Sequence, residues 1–124
     1  MKIFLKYYLP LILWVFLIFI LSGIPNLKSG LVDVYDLILR KAAHIFEYAI
    51  LAILILRIGL RKEKDAPNKK IVFIMTLIFG VFYAFLDEYH QSFIVGRSSS
   101  LYDTLIDSIG IVLGSGLYLS VKKD

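Results

Sequence analysis

Ionisable residues recur at helical spacing in the segment between residues 36 and 48. At 100° per residue they share one helix face that is less than a quarter-turn wide, with Tyr48 just beside it. These residues are Asp36, Arg40, His44 and Glu47. Imidazole and carboxylate groups serve as general acids and bases, and guanidinium groups bind carboxylate or phosphate in a bidentate manner. The pattern therefore indicates a binding or catalytic face.

A second group of polar residues follows a long apolar stretch and contains adjacent carboxylates. Helical geometry places Tyr83, Asp87, His90 and Gln91 on one side, while Glu88 points about 100° away from Asp87. Adjacent carboxylates cannot share a helix face, so we expect Asp87 and Glu88 to have different partners. One is expected to contact the His44 face and the other Arg97 or a ligand, and we expect His90 to be solvated.

A third group begins just after Arg97. Asp103, Asp107, Gly110 and Gly114 follow the spacing i, i+4, i+7 and i+11, which is a single stripe on a helix. Small residues four apart allow membrane helices to approach closely. Such an approach would bring the two carboxylates of the stripe against the polar faces of the neighbouring helices.

Two more specific chemistries are weakly indicated. His and carboxylate side chains could hold a divalent ion, but no spacing here matches an established metal motif, so we expect no cofactor and keep a divalent metal as the alternative. A serine–histidine–aspartate triad built from Ser98, Ser99 or Ser100 with His90 is unspecific. The chain has no cysteine, which excludes thiolate chemistry and disulfides.

The composition indicates an integral membrane protein. The chain has 124 residues, of which 59% are hydrophobic, and its mean hydropathy is +0.79. Soluble domains contain roughly half apolar residues and could not bury this much apolar surface. The net charge of +4 is better explained by basic residues flanking membrane spans than by nucleic acid binding.

Hydropathy predicts an all-α bundle of four transmembrane helices, over about residues 7–24, 40–60, 71–90 and 101–121, in one domain covering 1–124. A span needs about 20 residues. The first apolar stretch is too long for a cleavable signal peptide and lacks its cleavage site, so we expect it to be retained. The uncharged parts of the third and fourth stretches are too short alone. The polar residues must therefore belong to the spanning helices.

The distribution of basic residues predicts the orientation. Four spans place both termini and the central loop on one side, and ten of the 14 Lys and Arg residues lie there. The positive-inside rule then places both termini in the cytoplasm and the polar residues at the outer leaflet. The segment 25–36 on the outer side is expected to form a short surface segment over the site.

At these polar residues the sequence resembles the VanZ-like family of small bacterial membrane proteins, named for a teicoplanin (glycopeptide) resistance protein. The matching blocks are RKAAHIFEY at 40–48, DEYHQSF at 87–93, GRS at 96–98, and the stripe from Asp103 through Asp107 to Gly110 and Gly114. One departure is Val95, where the family often has proline before the Gly-Arg pair. That change would loosen the turn without affecting Arg97.

The resemblance implies a multi-pass protein of the bacterial plasma membrane, with a polar site on its outer face and a role in the cell envelope. The expected ligand-binding residues combine both arginines, tyrosine, glutamine and the titratable groups. They are Arg40, His44, Glu47, Tyr48, Asp87, Glu88, Gln91, Arg97, Asp103 and Asp107. Glycopeptide resistance is the property of the namesake.

Three functions are compatible with these residues. The first is a non-enzymatic protein that binds a glycopeptide or a lipid-linked cell-wall precursor. The second is a membrane hydrolase or transferase acting on a lipid-linked or peptidoglycan substrate, with Glu47, Asp87 or Glu88 as general base and His44 as acid, base or metal ligand. A carrier is the third, and it ranks last because its polar residues should lie nearer the bilayer midplane.

Overall fold

The computed structural model consists of four antiparallel helices. It describes residues 2–22, 33–61, 68–93 and 101–121, and these residues contain no strand. Within residues 33–37 only the side chain of Tyr35 is described. The helices are α1 (Leu9–Ser22), preceded by a π-helical segment (Phe4–Tyr8), α2 (Asp33–Gly59), α3 (Lys69–Gln91) and α4 (Leu101–Val121). All four are long and apolar enough to cross a membrane.

Large apolar side chains cover the outside of the bundle. Phe16 on α1, Phe82 on α3 and Leu113 on α4 are among many that are more than half exposed. In water such a surface would favour aggregation, whereas in a bilayer it faces hydrocarbon of the same polarity. The exposed apolar surface and the helix lengths together show a membrane-helix bundle.

The π-helical start of the first helix is explained by Pro10. Proline has no N–H and its ring clashes with the carbonyl four residues earlier, here that of Lys6. The wider π turn, closed by a hydrogen bond from the Leu9 N–H to the Phe4 carbonyl, accommodates the ring. The Lys6 carbonyl instead accepts a hydrogen bond of 3.1 Å from the guanidinium of Arg57 on α2. The carbonyl that Pro10 leaves without an intrahelical partner thus links the π-helical segment to α2.

Helix α4 packs most closely on α2, through glycines. A Cβ atom built on Gly110 would collide with the Ile45 carbonyl, and one on Gly114 would collide with the Ala49 carbonyl. The predicted small-residue stripe therefore does bring two helix backbones together. Gly116 points the other way into open space, so the role is specific to Gly110 and Gly114.

Helices α1 and α3 complete the bundle around a small core. The core contains Ile18, Tyr48, Leu51, Ala52, Ala84 and Ile111. The Trp14 indole N–H donates a hydrogen bond of 2.8 Å to the Glu47 carbonyl, and the Tyr83 hydroxyl donates one of 2.8 Å to the Val15 carbonyl. Helix α1 supplies the donor of the first bond and the acceptor of the second, so polar contacts as well as packing hold it in the bundle.

The chain direction alternates, so the end of α1, the start of α2, the end of α3 and the start of α4 lie together. We call this the polar end of the bundle. Its buried polar residues include Ser22, Asp87, Glu88, Gln91 and Asp107. At the opposite end, Asn68 caps α3 by accepting hydrogen bonds from the Lys70 and Ile71 N–H groups at 2.7 Å and 3.2 Å.

Candidate functional site

The centre of the polar end is a hydrogen bond between α2 and α3. The Tyr48 hydroxyl donates to Oδ2 of Asp87 at 3.0 Å. Tyr48 is 0% exposed and Asp87 is 4% exposed, so the bond is shielded from solvent and lipid. Tyr48, predicted to lie just beside the polar face, is instead at its centre.

A second buried contact joins α2 and α4. Nδ1 of His44 lies 3.2 Å from Oδ1 of Asp107. Asp107 is 0% exposed, and it reaches His44 because Gly110, one turn further along α4, allows the two backbones to meet. The glycine stripe therefore positions the carboxylate of Asp107.

These two contacts converge on a group of three side chains. His44, Asp87 and Asp107 each offer one ligand atom, and these atoms lie within 4.8 Å of one another. Oδ1 of Asp87 and Oδ2 of Asp107 are buried and have no hydrogen-bond partner among the described residues. We call this group the His–Asp–Asp cluster. Buried polar atoms are normally satisfied, so unsatisfied carboxylate oxygens require an explanation.

Nearer the end of the bundle, an ion pair adds a second link between α2 and α4. The Lys41 ammonium contacts Oδ1 of Asp103. Both side chains are partly exposed, at 35% and 14%, so the pair lies towards the surface of the site. The two carboxylates of the α4 stripe therefore have different basic partners, Lys41 and His44.

The remaining polar residues of α3 contact α1. Gln91 donates a hydrogen bond of 3.3 Å from Nε2 to the Ser22 hydroxyl, and both residues are buried. The His90 ring stacks on Phe19 with centroids 4.4 Å apart. The expectation that His90 is solvated holds only in part, because the residue is half-buried, with its ring against Phe19 of α1 and its Nδ1 atom buried.

The other predicted site residues are divided between described and undescribed parts of the chain. Arg40 and Glu47 are half-buried on α2, and Glu88 is buried on α3 beside Asp87. The adjacent carboxylates are thus both buried, although they point to different sides of α3. Arg97, the three serines at 98–100, the side chain of Asp36 and residues 25–32 of the predicted cover lie outside the described residues. Residues 33–36 of that predicted segment are instead the start of α2.

Sequence reasoning did not identify the contributions of α1. Ser22 contacts the site residue Gln91, Phe19 contacts the neighbouring His90, and Trp14 contacts the backbone of Glu47. Helix α1 is apolar almost all round, so no periodicity distinguishes its inner face from its outer face. The one available signal was Ser22, a polar residue at the end of an otherwise apolar run.

An apolar cavity of about 520 Å³ approaches the site from the middle of the bundle. It lies between α1, α2 and α3, and along α3 it is lined from Ile71 to Tyr83. At 1.5 Å per residue this is about 18 Å. Tyr83 borders both regions, since its ring centroid is 6.2 Å from that of Tyr48. We call this cavity the apolar groove.

Chemically, the site combines acid–base groups with hydrogen-bonding surface. An imidazole beside a carboxylate is suited to moving a proton, and imidazole with two carboxylates is suited to holding a divalent ion. Carboxylates outnumber lysine and arginine among the described residues at this end: the acids are Glu47, Asp87, Glu88, Asp103 and Asp107, and the bases are Arg40 and Lys41.

Comparison with protein families matches residues 5–122 to the VanZ/LLP1 family. Searches among curated proteins and among solved structures give no match. The matched range includes all four membrane-spanning helices and every residue of the His–Asp–Asp cluster. The chain therefore belongs to the VanZ/LLP1 family.

Proposed function

We propose that the protein binds a lipid-linked cell-wall precursor at the outer leaflet of the bacterial plasma membrane. The lipid chain would lie in the apolar groove and the polar headgroup at the His–Asp–Asp cluster. The observation that carries this proposal is the continuity of the two regions. Tyr83 lines the groove, its ring neighbours Tyr48, and Tyr48 binds Asp87.

The chemistry of the groove favours a lipid chain over a soluble ligand. Its lining is almost entirely aliphatic and aromatic, with Thr76 and Tyr83 as the residues that carry hydroxyls. The Thr76 hydroxyl is already bonded to the Val72 carbonyl, and that of Tyr83 to the Val15 carbonyl. The groove therefore offers contact area without polar recognition, as a hydrocarbon chain requires.

The polar end supplies the groups that a headgroup requires. Arg40 is half-buried on the helix that carries His44, and arginine suits phosphate and carboxylate recognition. Tyr89 is 62% exposed at the end of α3, where an amphipathic ring fits the membrane–water boundary. The outer-leaflet location follows from the distribution of lysine and arginine, which is part of the proposal.

The proposal is tested by measuring binding in nanodiscs. A polyprenyl-linked precursor, a short-chain analogue with the same headgroup and the water-soluble headgroup alone should bind with decreasing affinity. Ile55→Trp, which fills the groove, should weaken binding of the long-chain ligand only. Leu113→Trp, on the exposed surface of α4, is the matched control. Equal binding of all three ligands would contradict a role for the groove.

A glycopeptide is the other ligand that the family resemblance implies. Competition between teicoplanin and the labelled precursor in the same nanodiscs separates the two. If teicoplanin binds in the absence of precursor and Ile55→Trp leaves that binding unchanged, the polar end is a drug site and our proposal fails. Protection of cells against the drug, measured for Asp87→Asn and His44→Gln, shows whether binding has a consequence in the cell.

A membrane hydrolase or transferase acting on the same precursor is the second candidate. The observation that favours it is the 3.2 Å contact between His44 and Asp107, because a carboxylate orients an imidazole that accepts a proton from a nucleophile. Asp87, in the same cluster, would hold the reacting group in place.

This candidate is tested by product analysis of the precursor after incubation with purified protein. An enzyme should convert the precursor, and His44→Gln should abolish conversion even at precursor concentrations that saturate binding. Ser108→Ala, which removes a hydroxyl of α4 that bonds to the Thr104 carbonyl of the same helix, is the control. If the precursor binds but is not converted, the binding function is retained and the enzymatic function is excluded.

A further inference from the structure

The two unsatisfied carboxylates at the centre of the bundle carry a further inference. Asp107 is 0% exposed and Asp87 is 4% exposed, and each has a buried oxygen without a hydrogen-bond partner among the described residues. Buried charges in proteins are normally paired or bound to metal ions. The contacts that the structure gives these two carboxylates are His44 for Asp107 and the neutral hydroxyl of Tyr48 for Asp87.

We propose that His44, Asp87 and Asp107 bind one divalent cation. Their ligand atoms lie within 4.8 Å of one another, and the closest pair, Nδ1 of His44 and Oδ1 of Asp107, is 3.2 Å apart. Donor atoms around one ion at about 2.1 Å lie about 3 to 4 Å apart. Small side-chain rotations would therefore complete the site, without movement of a helix.

The types of donor indicate the class of metal. Imidazole suits zinc and the later transition metals, whereas carboxylates suit magnesium, calcium and manganese. One imidazole with two carboxylates favours a borderline ion such as Mn²⁺ or Zn²⁺. Two carboxylates also match the charge of the ion, so the occupied centre would be neutral. Neutrality lowers the cost of placing charge within a membrane-spanning bundle.

Residues around the three proposed ligands also support a metal site. Tyr48 binds Oδ2 of Asp87 and leaves Oδ1 for the ion. Hydrogen bonds of this kind orient metal ligands and tune their affinity. Lys41 is paired with Asp103, so that lysine already has a carboxylate outside the cluster. The arrangement thus has an ion pair near the surface and, deeper in the bundle, a cluster in which two carboxylates share one imidazole.

Three protein ligands leave coordination positions open, as in catalytic rather than structural metal sites. An oxygen of a phosphate-containing headgroup could take such a position, which would give an acidic site affinity for an anionic ligand. This role of the ion rests on the proposed function. The metal site itself rests only on the three side chains, and the two can be tested separately.

The experiment uses Mn²⁺ as the probe. Purified protein in detergent is stripped with a chelator and titrated with Mn²⁺, and the electron paramagnetic resonance signal of free Mn²⁺ is recorded. Wild-type protein should bind one Mn²⁺ per chain, and Zn²⁺ should compete. Asp107→Asn, Asp87→Asn and His44→Gln should each weaken binding by at least about 10-fold, and Tyr48→Phe by about 10-fold through the orientation of Asp87.

Ser108→Ala is the matched control, since it changes a side chain of α4 next to Asp107 whose hydroxyl bonds to the Thr104 carbonyl of its own helix. It should bind Mn²⁺ like wild type. Mn²⁺ should also raise the melting temperature of wild type and of Ser108→Ala, but not that of Asp107→Asn. Size-exclusion chromatography shows which variants are folded. Only folded variants are compared with wild type, and each of the three ligand substitutions tests the site independently.

Two outcomes would overturn the metal site. One is an unchanged free Mn²⁺ signal with wild-type protein up to millimolar concentrations, which would mean that protons neutralise the carboxylates. The other is wild-type affinity in all three ligand variants. Precursor binding is measured in parallel on the stripped protein and on the Mn²⁺-loaded protein. Precursor bound without Mn²⁺ binding would remove only the metal, and Mn²⁺ bound without precursor binding would remove only the proposed function.

Discussion

The Tyr48 hydroxyl and the Asp87 carboxylate form a buried hydrogen bond that joins α2 to α3. It is a direct side-chain link between the helix that carries His44 and the helix that carries the unsatisfied oxygen of Asp87. Because both residues are shielded from water, neither can exchange its partner for solvent. The bond therefore affects both the stability of the bundle and the geometry of the site.

Tyr48→Phe should lower the free energy of unfolding by about 1–3 kcal/mol, because a buried carboxylate oxygen loses its donor. Unfolding in mixed detergent micelles, followed by circular dichroism, measures the change. Tyr89→Phe is the control, since Tyr89 is 62% exposed and should change stability by less than about 0.5 kcal/mol. Equal effects of the two substitutions would show that the buried hydrogen bond adds nothing.

Gly114→Ala should also be destabilising, by about 1–3 kcal/mol, because the added Cβ would meet the backbone of Ala49 and force α4 away from α2. Gly116→Ala meets nothing within 4 Å, so its stability should stay equal or rise slightly through helix propensity. Each variant adds one methyl group to the wild-type protein, and the two positions are only two residues apart. A similar loss at both sites would argue against the close helix contact.

The contact between Arg57 and the Lys6 carbonyl should depend on Pro10. Pro10→Ala restores an N–H that can bond to the Lys6 carbonyl, so Arg57→Gln should then cost less stability than in the wild type. A double-mutant cycle of unfolding free energies should give a coupling of about 1 kcal/mol. The stacking of Arg57 near the Tyr7 ring is present in both backgrounds and cancels. A coupling of zero would mean that the π-helical segment has another cause.

The orientation of the protein can be tested directly because the chain has no cysteine. Single cysteines are introduced as Ser29→Cys, in the connection predicted to lie outside, and Lys64→Cys, in the one predicted to lie in the cytoplasm. A membrane-impermeant maleimide should label the first in intact cells and the second only after permeabilisation. The reverse pattern would place the polar end in the cytoplasm and contradict the outer-leaflet proposal.

Much of this architecture could be predicted from the sequence, because its signals are local. Hydropathy and length predicted four spanning helices, and these are present. The spacing of Gly110 and Gly114 predicted the close approach of α4, although it could not show that the partner backbone is that of Ile45 and Ala49 on α2. Periodicity defines the face of one helix, while the register between two helices depends on packing.

The same limit explains what was missed in the site. His44, Asp87 and Asp107 were all predicted to be polar-face residues, and contacts between the three polar faces were expected. The spacing could not show which carboxylates meet His44, or that Asp103 pairs with Lys41 instead. Tyr48 was predicted to lie beside the face because an idealised helical wheel contains no information on where the neighbouring helices lie. Its position at the centre follows from α3 packing against that side of α2.

The glycine contact between α2 and α4 has a mechanical consequence. His44 and Asp107 lie on two helices whose backbones touch, so their separation is fixed by main-chain packing. Asp87 belongs to α3, which is tied to this pair by side chains, among them Tyr48. A rotation or shift of α3 would move Asp87 and leave the other two in place. The cluster therefore has a rigid half and an adjustable half, and a ligand bound in the apolar groove along α3 would act on the adjustable half.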